Sequence, residues 1–119
     1  MFKLLKSLVF SLLFVFATNA YSLDRGGSVY KQCRPCHGPQ GYGNPKIQAP
    51  SIAGLPAWYV EAQLGKWISG ARSSHPKDIA GQRMRPMART LRDTPEDLKL
   101  VSAHVAQLPR RSAPRTIDA

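Results

Sequence analysis

Only two cysteines occur in the 119 residues, at positions 33 and 36, so the chain cannot carry the network of disulfides that holds many small exported domains together. Acidic residues are also scarce, 7 against 17 lysines and arginines, which leaves a formal net charge of +10. There is no uncharged apolar stretch of the roughly twenty residues that a membrane-crossing helix needs. No stretch alternates apolar and polar residues as a half-buried strand would, and no segment repeats. These gaps speak against a disulfide scaffold, against a membrane-spanning helix or uncleaved anchor, and against a β-sandwich.

The N-terminal MFKLLKSLVFSLLFVFATNA has Lys3 and Lys6, then an apolar run from Leu8 to Phe16 of about ten residues, then small or polar residues to Ala20. This pattern predicts a signal peptide over residues 1–20, cleaved after Ala20 or, as the second choice, after Ser22, and hence an exported, periplasmic protein of a Gram-negative type bacterium. Without Lys3 and Lys6 the chain holds 15 basic and 7 acidic residues, a net charge of +8. Nucleic acid is a poor partner for such a chain, because no basic helix interleaved with aromatics is present. An acidic protein surface fits the charge better, and neither stable membrane insertion nor a partner copy is called for: a monomer is expected.

Three helices are predicted. The first starts at Asp24 as N-cap and runs into the cysteines, although Gly26 and Gly27 each cost about 1 kcal/mol of helix propensity and call for close packing in return. The second covers residues 56–69, where Tyr59/Val60, Leu64 and Trp67/Ile68 recur on one face and Gly70 ends it. The third follows Thr94 as N-cap and Pro95 as first helical residue, with Leu98, Val101, Val105 and Leu108 at helical spacing. Residues 38–54, with four glycines and three prolines, and residues 71–86, without periodicity, read as long loops. Residues 21–108 then make one all-α domain, and residues 109–119, PRRSAPRTIDA, a disordered tail. Long loops in so small a domain need an internal organiser.

That organiser is sought at CRPCHGPQGYG, residues 33–43. A thioredoxin-like dithiol wants a βαβ context that is missing. A zinc site wants a second ligand pair, and His75 and His104 stand apart. A Cys33–Cys36 disulfide would close too short a loop to stabilise much. The remaining chemistry is covalent haem attachment: thiols at i and i+3 lie on one side of a helical turn, and the next residue, His37, is placed to ligate iron. A chance C-x-x-C-H in such a composition arises roughly once in a thousand chains. A second iron ligand is then needed, and Met84 or Met87, in RMRPMARTL, suits better than His75 or His104, because a methionine among arginines has little core to fill.

In order along the chain, Gly26–Tyr30–Cys33, CRPCHGPQGYG, APSIAG, YVEAQL, SGAR, GQRMRPMARTL and DLKLVSAHVAQL resemble the class I c-type cytochromes, over residues 24–108. The resemblance is to the small soluble bacterial monohaem proteins and to single halves of two-haem periplasmic ones. It implies a cytochrome c fold, three core helices and long loops around one covalent haem c, with the first and last helices crossing near Gly26. It also implies Cys33 and Cys36 as attachment points, His37 and Met84 as axial ligands with Met87 the less suited, and Pro50 as the carbonyl behind the His37 imidazole. His104 departs from the family's usual aromatic, and Arg92 from its usual small residue, which puts Thr94 in question as the sole cap. The implied function is a periplasmic electron carrier rather than an enzyme, serving redox proteins with acidic docking surfaces. The alternative is a haem subunit of a periplasmic dehydrogenase or oxidase.

Overall fold

The structure, a computed structural model, describes residues 25–112. The predicted signal, the Asp24 cap and the tail beyond Ser112 lie outside the described residues. Among the described residues five α-helices follow one another: α1 (residues 25–30), α2 (Arg34–His37), α3 (Ala57–Ser69), α4 (Ile79–Arg89) and α5 (Pro95–Gln107), with one 3-10 turn at Pro45–Ile47. Among the described residues there is no strand, only an isolated antiparallel bridge between Asn44 and Ala49. The all-α expectation holds.

The core is small. Tyr30 of α1, Leu91 after α4, and Val101 and Val105 of α5 are buried together, with Val60, Leu64 and Ile68 of α3 packed against them. The apolar spacing read in α3 and α5 is what aims these side chains inward. α3 packs on both α4 and α5.

α1 reaches α5 at the two glycines. A Cβ on Gly26 would sit 2.5 Å from the backbone oxygen of Leu100 and 3.2 Å from Cβ of His104. Missing side chains therefore let the two backbones touch, which is the packing return the sequence called for. Just beyond, the Tyr30 and His104 rings lie 5.1 Å apart between centroids, and burial pushes the His104 pKa down from its ordinary value. At the open end of the crossing, Arg25 donates two hydrogen bonds to Asp97, at 2.8 and 2.7 Å. That guanidinium holds the Asp97 carboxyl below its usual range. The pair is solvated and contributes little to stability by itself.

One expectation needs correcting. Residues 71–86 were expected as loop, yet Ile79–Arg89 is helical. Asp78 caps it, its carboxylate accepting from the Gly81 N–H at 2.9 Å. Pro86 inside the helix lacks an N–H to give to the carbonyl one turn back, and three arginines in eleven residues obscure the pattern. The helical signal is nonetheless present: Ala80, Met84, Ala88 and Leu91 recur every three or four residues, and these are the positions turned inward. Thr94 does stand at the N-cap of α5, but its side chain makes no capping bond.

The 38–56 segment is a loop with its own hydrogen-bond frame. The Gly41 carbonyl accepts from the N–H groups of Ile52 and Ala53, at 2.8 and 3.0 Å, and from the Ser51 hydroxyl at 3.2 Å. The Gly54 N–H donates to Val105 at 3.0 Å. After α5 the chain turns back over this loop: Arg110 donates through Nε and Nη2 to the Gly54 carbonyl, at 3.0 and 2.8 Å. Arg111 lies over the Tyr42 ring, 5.2 Å from its centroid. Two residues from the start of the expected tail, Arg110 and Arg111, thus touch the domain.

Candidate functional site

Cys33 is the N-cap of the one-turn helix α2, and Pro35 in its first turn suits a position whose N–H would have no helical partner. The His37 N–H donates to the Cys33 carbonyl at 2.9 Å, which folds the turn and brings both thiols to one side of it. Both cysteines are free thiols; Cys33 is half-buried against the core and Cys36 is exposed. Burial, and then the neighbouring Cys36, push the Cys33 thiol up to about 11. From α1, the Tyr30 hydroxyl donates to the Gly38 carbonyl at 2.8 Å and ties the end of α2 to the core.

His37 is 5% exposed. Its Nδ1 lies 2.9 Å from the Pro50 carbonyl oxygen. A carbonyl can only accept, so Nδ1 carries a proton and donates, which in the neutral ring leaves the Nε2 lone pair free. This is the tautomer of an imidazole prepared to bind a metal through Nε2. Pro50 is held in place by the loop frame. Gly43, with φ of +80°, passes so close that an added Cβ would stand 2.5 Å from the Ala49 oxygen and 2.6 Å from the Pro50 carbonyl carbon.

α4 brings Met84 into contact with His37. Met87, one turn on, is 38% exposed. The two other sequence candidates sit elsewhere: His75 Nδ1 accepts from the Lys77 N–H at 3.1 Å, and His104 stacks on Tyr30 at the α1–α5 crossing. Among the described residues, no three of His, Cys, Asp and Glu cluster as a metal cage.

Three features of this region were not read from the sequence. The Trp67 indole N–H donates to the Ser73 hydroxyl at 2.9 Å, and the Arg72 guanidinium lies over the same indole, 4.1 Å from the ring centroid. Of the four arginines around Met84, residues 83, 89 and 92 are exposed while Arg85 turns inward. Its Nε is buried without a hydrogen-bond partner. Leaving such a donor unpaired costs about 1–3 kcal/mol or more. No sequence signal separates Arg85 from its neighbours except its place on the helix beside the inward stripe.

Taken together, two free thiols three residues apart, an imidazole with a bare Nε2 beside them, and a thioether facing that imidazole fit a covalently bound haem with His and Met on its iron. The donor set suits no tetrahedral zinc.

Comparison with known proteins points the same way. The sequence profile of the family described as Cytochrome c matches residues 23–109. A "Thiosulfate dehydrogenase electron acceptor" of Stutzerimonas stutzeri (strain A1501) is 40% identical over 57 residues, covering 48% of this chain and 26% of that protein. A protein of the same description from Thiomonas intermedia (strain K12) is 45% identical over 42 residues, 35% of this chain and 19% of the relative. The chain thus spans about a quarter or less of these relatives. No solved structure matches it significantly.

Proposed function

Since the chain belongs to the cytochrome c family, we propose that it is a haem electron carrier, that Cys33 and Cys36 anchor its haem c, that His37 and Met84 are the iron ligands, and that it works in the periplasm. Residues 1–20 are the signal that takes it there. The bound group supplies one reversible electron, exchanged between ferric and ferrous iron. The residues do the rest. Pro50 fixes the His37 tautomer and raises the basicity of the ring. The Met84 thioether, as the second protein ligand beside His37, would favour the reduced state. The observation that carries this reading is the pairing of a Pro50-bound His37 with Met84 across the same site. No helix of the described residues is long and apolar enough to cross a membrane.

The test is the visible spectrum. In the oxidised holoprotein, Met84→Leu should abolish the sulfur-to-iron charge-transfer band, whereas Met87→Leu should keep it; the reverse would name Met87 as the ligand. A denatured chain that shows no covalent haem would overturn the anchor.

For the partner, likeness to the two relatives suggests a donor that oxidises thiosulfate, with this chain taking the electrons singly. Exposed Arg83 and Arg89 on α4 and Arg92 just after it make the Met84 segment basic and suited to acidic patches on such a donor. Electron-transfer rates with the thiosulfate-oxidising donor should fall by about tenfold or more between low and physiological salt. Rates indifferent to salt would remove the docking role.

A further inference from the structure

We propose that His104 makes the α1–α5 crossing a pH-sensitive joint, which packs the two helices together while the imidazole is neutral and parts them when it takes up a proton. On the α1 side the ring meets backbone and an aromatic face. A Cβ on Gly26 would stand 3.2 Å from Cβ of His104, and one on Gly27 would stand 3.3 Å from its Cε1 and 3.5 Å from its Nδ1. The Tyr30 ring lies 5.1 Å away between centroids, inclined by 39°. Neither ring nitrogen has a hydrogen-bond partner among the described residues. A neutral imidazole suits that place, because one of its nitrogens carries no proton and can lie bare against the Gly27 backbone. An imidazolium carries N–H groups on both nitrogens, and turning the ring over only exchanges which of them meets Gly27. The second N–H would find no acceptor there, and the charge would sit on a half-buried ring.

The surrounding charges do not rescue the cation. On α1, Arg25 is bound to Asp97 of α5 at the open end of the crossing, and Lys31 is exposed. Tyr30 stays neutral, since burial raises its pKa, and Cys33 and Arg34 act on Tyr30. On α5, Lys99 is exposed, and His104 itself lies in the last turn, an end that favours a cation. Burial nevertheless pushes the His104 pKa down, with no charged group among the described residues contributing. Once the helices part, the ring returns to water and to its ordinary value. The parted form therefore binds the proton more readily. The contribution of neutral His104 to closure is fully present above pH 6.5 and is lost as the pH falls through the lower value of the packed ring. Tyr30 carries the change onward, because its hydroxyl donates to the carbonyl of Gly38, the residue directly after His37.

The experiment uses the reduced holoprotein with isotope-labelled histidine, and its His104→Phe and His104→Tyr variants, which keep a ring in the crossing and remove the titration. The histidine resonance missing from both variants is that of His104, and in the wild type it should titrate below the ordinary value of 6.5. Amide protection factors in α1 and α5 divide out the intrinsic pH dependence of exchange. Between about pH 7 and pH 5 they should fall about fivefold more in the wild type than in either variant. A His104 resonance that titrates at or above the ordinary value overturns the proposal, since the helix end or the Tyr30 ring would then be holding the cation in place. So does an equal fall in protection in the wild type and both variants, which is what a purely structural ring would give. The wild-type titration decides by itself should a variant fold poorly. It reads the crossing whichever methionine faces the iron, so the joint and the ligand assignment stand or fall separately.

Discussion

Gly26→Ala is expected to destabilise the folded protein by roughly 2–3 kcal/mol, against the ordinary sign of such a change. In an exposed helix, alanine for glycine gains about 1 kcal/mol. Here the new Cβ would stand 2.5 Å from the Leu100 oxygen and 3.1 Å from its carbonyl carbon. Both are backbone atoms of α5, which cannot rotate aside. α1 must instead lift off, and Tyr30, 2% exposed in the core, lifts with it. The clash therefore outweighs the propensity gain. Gly65→Ala is the matched control: it lies mid-way along α3 with nothing within 4 Å of an added Cβ, and should stabilise by about 0.5–1 kcal/mol. Urea denaturation of the two holoproteins reads both signs. Equal midpoints for Gly26→Ala and the wild type would remove the close crossing.

Gly43→Ala should cost about 3 kcal/mol and also change the redox behaviour. The residue sits at φ of +80°, where a side chain is disfavoured by about 1–2 kcal/mol. The added Cβ would meet the Ala49 oxygen, the Pro50 carbonyl carbon and the Ser51 nitrogen within 2.7 Å. Relief of that crowding has to move the Pro50 carbonyl, which accepts the His37 Nδ1 proton at 2.9 Å. A weaker bond there makes the imidazole a poorer donor to iron, so ferric iron is less stabilised and the midpoint potential rises. Denaturation together with electrode titration checks it, and an unchanged profile in both would refute the loop's role in orienting His37.

The elements that could be read from the residues were those whose signals are local. α3 and α5 declare themselves through apolar spacing, Gly70 and Pro95. The anchor is legible because C-x-x-C-H is a chemical pattern; two glycines early in a helix demand close packing, but that the last helix supplies it came only from the family resemblance. α4 was hidden by Pro86 and by arginines that mask the Ala80–Met84–Ala88–Leu91 stripe. It forms because Gly81 lets Asp78 and Ser73 close on its first turn and because its inward stripe has a core to meet. The inward turn of Arg85 could not be read without first placing α4. It depends on which side of α4 faces the α3–α4 turn, a tertiary fact that four arginines in one decapeptide do not encode. Arg110 was placed with the tail for the same reason: its partner is a carbonyl 56 residues away.

The clasp that Arg110 makes on Gly54 has a consequence for how the domain opens. Loops exposed to solvent usually exchange their amide protons through small local excursions. The loop that carries Pro50 is closed instead by bonds from the other end of the chain, through Arg110 on the Gly54 carbonyl and Val105 on the Gly54 N–H. It cannot swing away from His37 unless the end of α5 frays with it. Loop and terminal helix therefore share one opening unit, and the amide protons of residues 52–54 exchange with the slow rate of that unit.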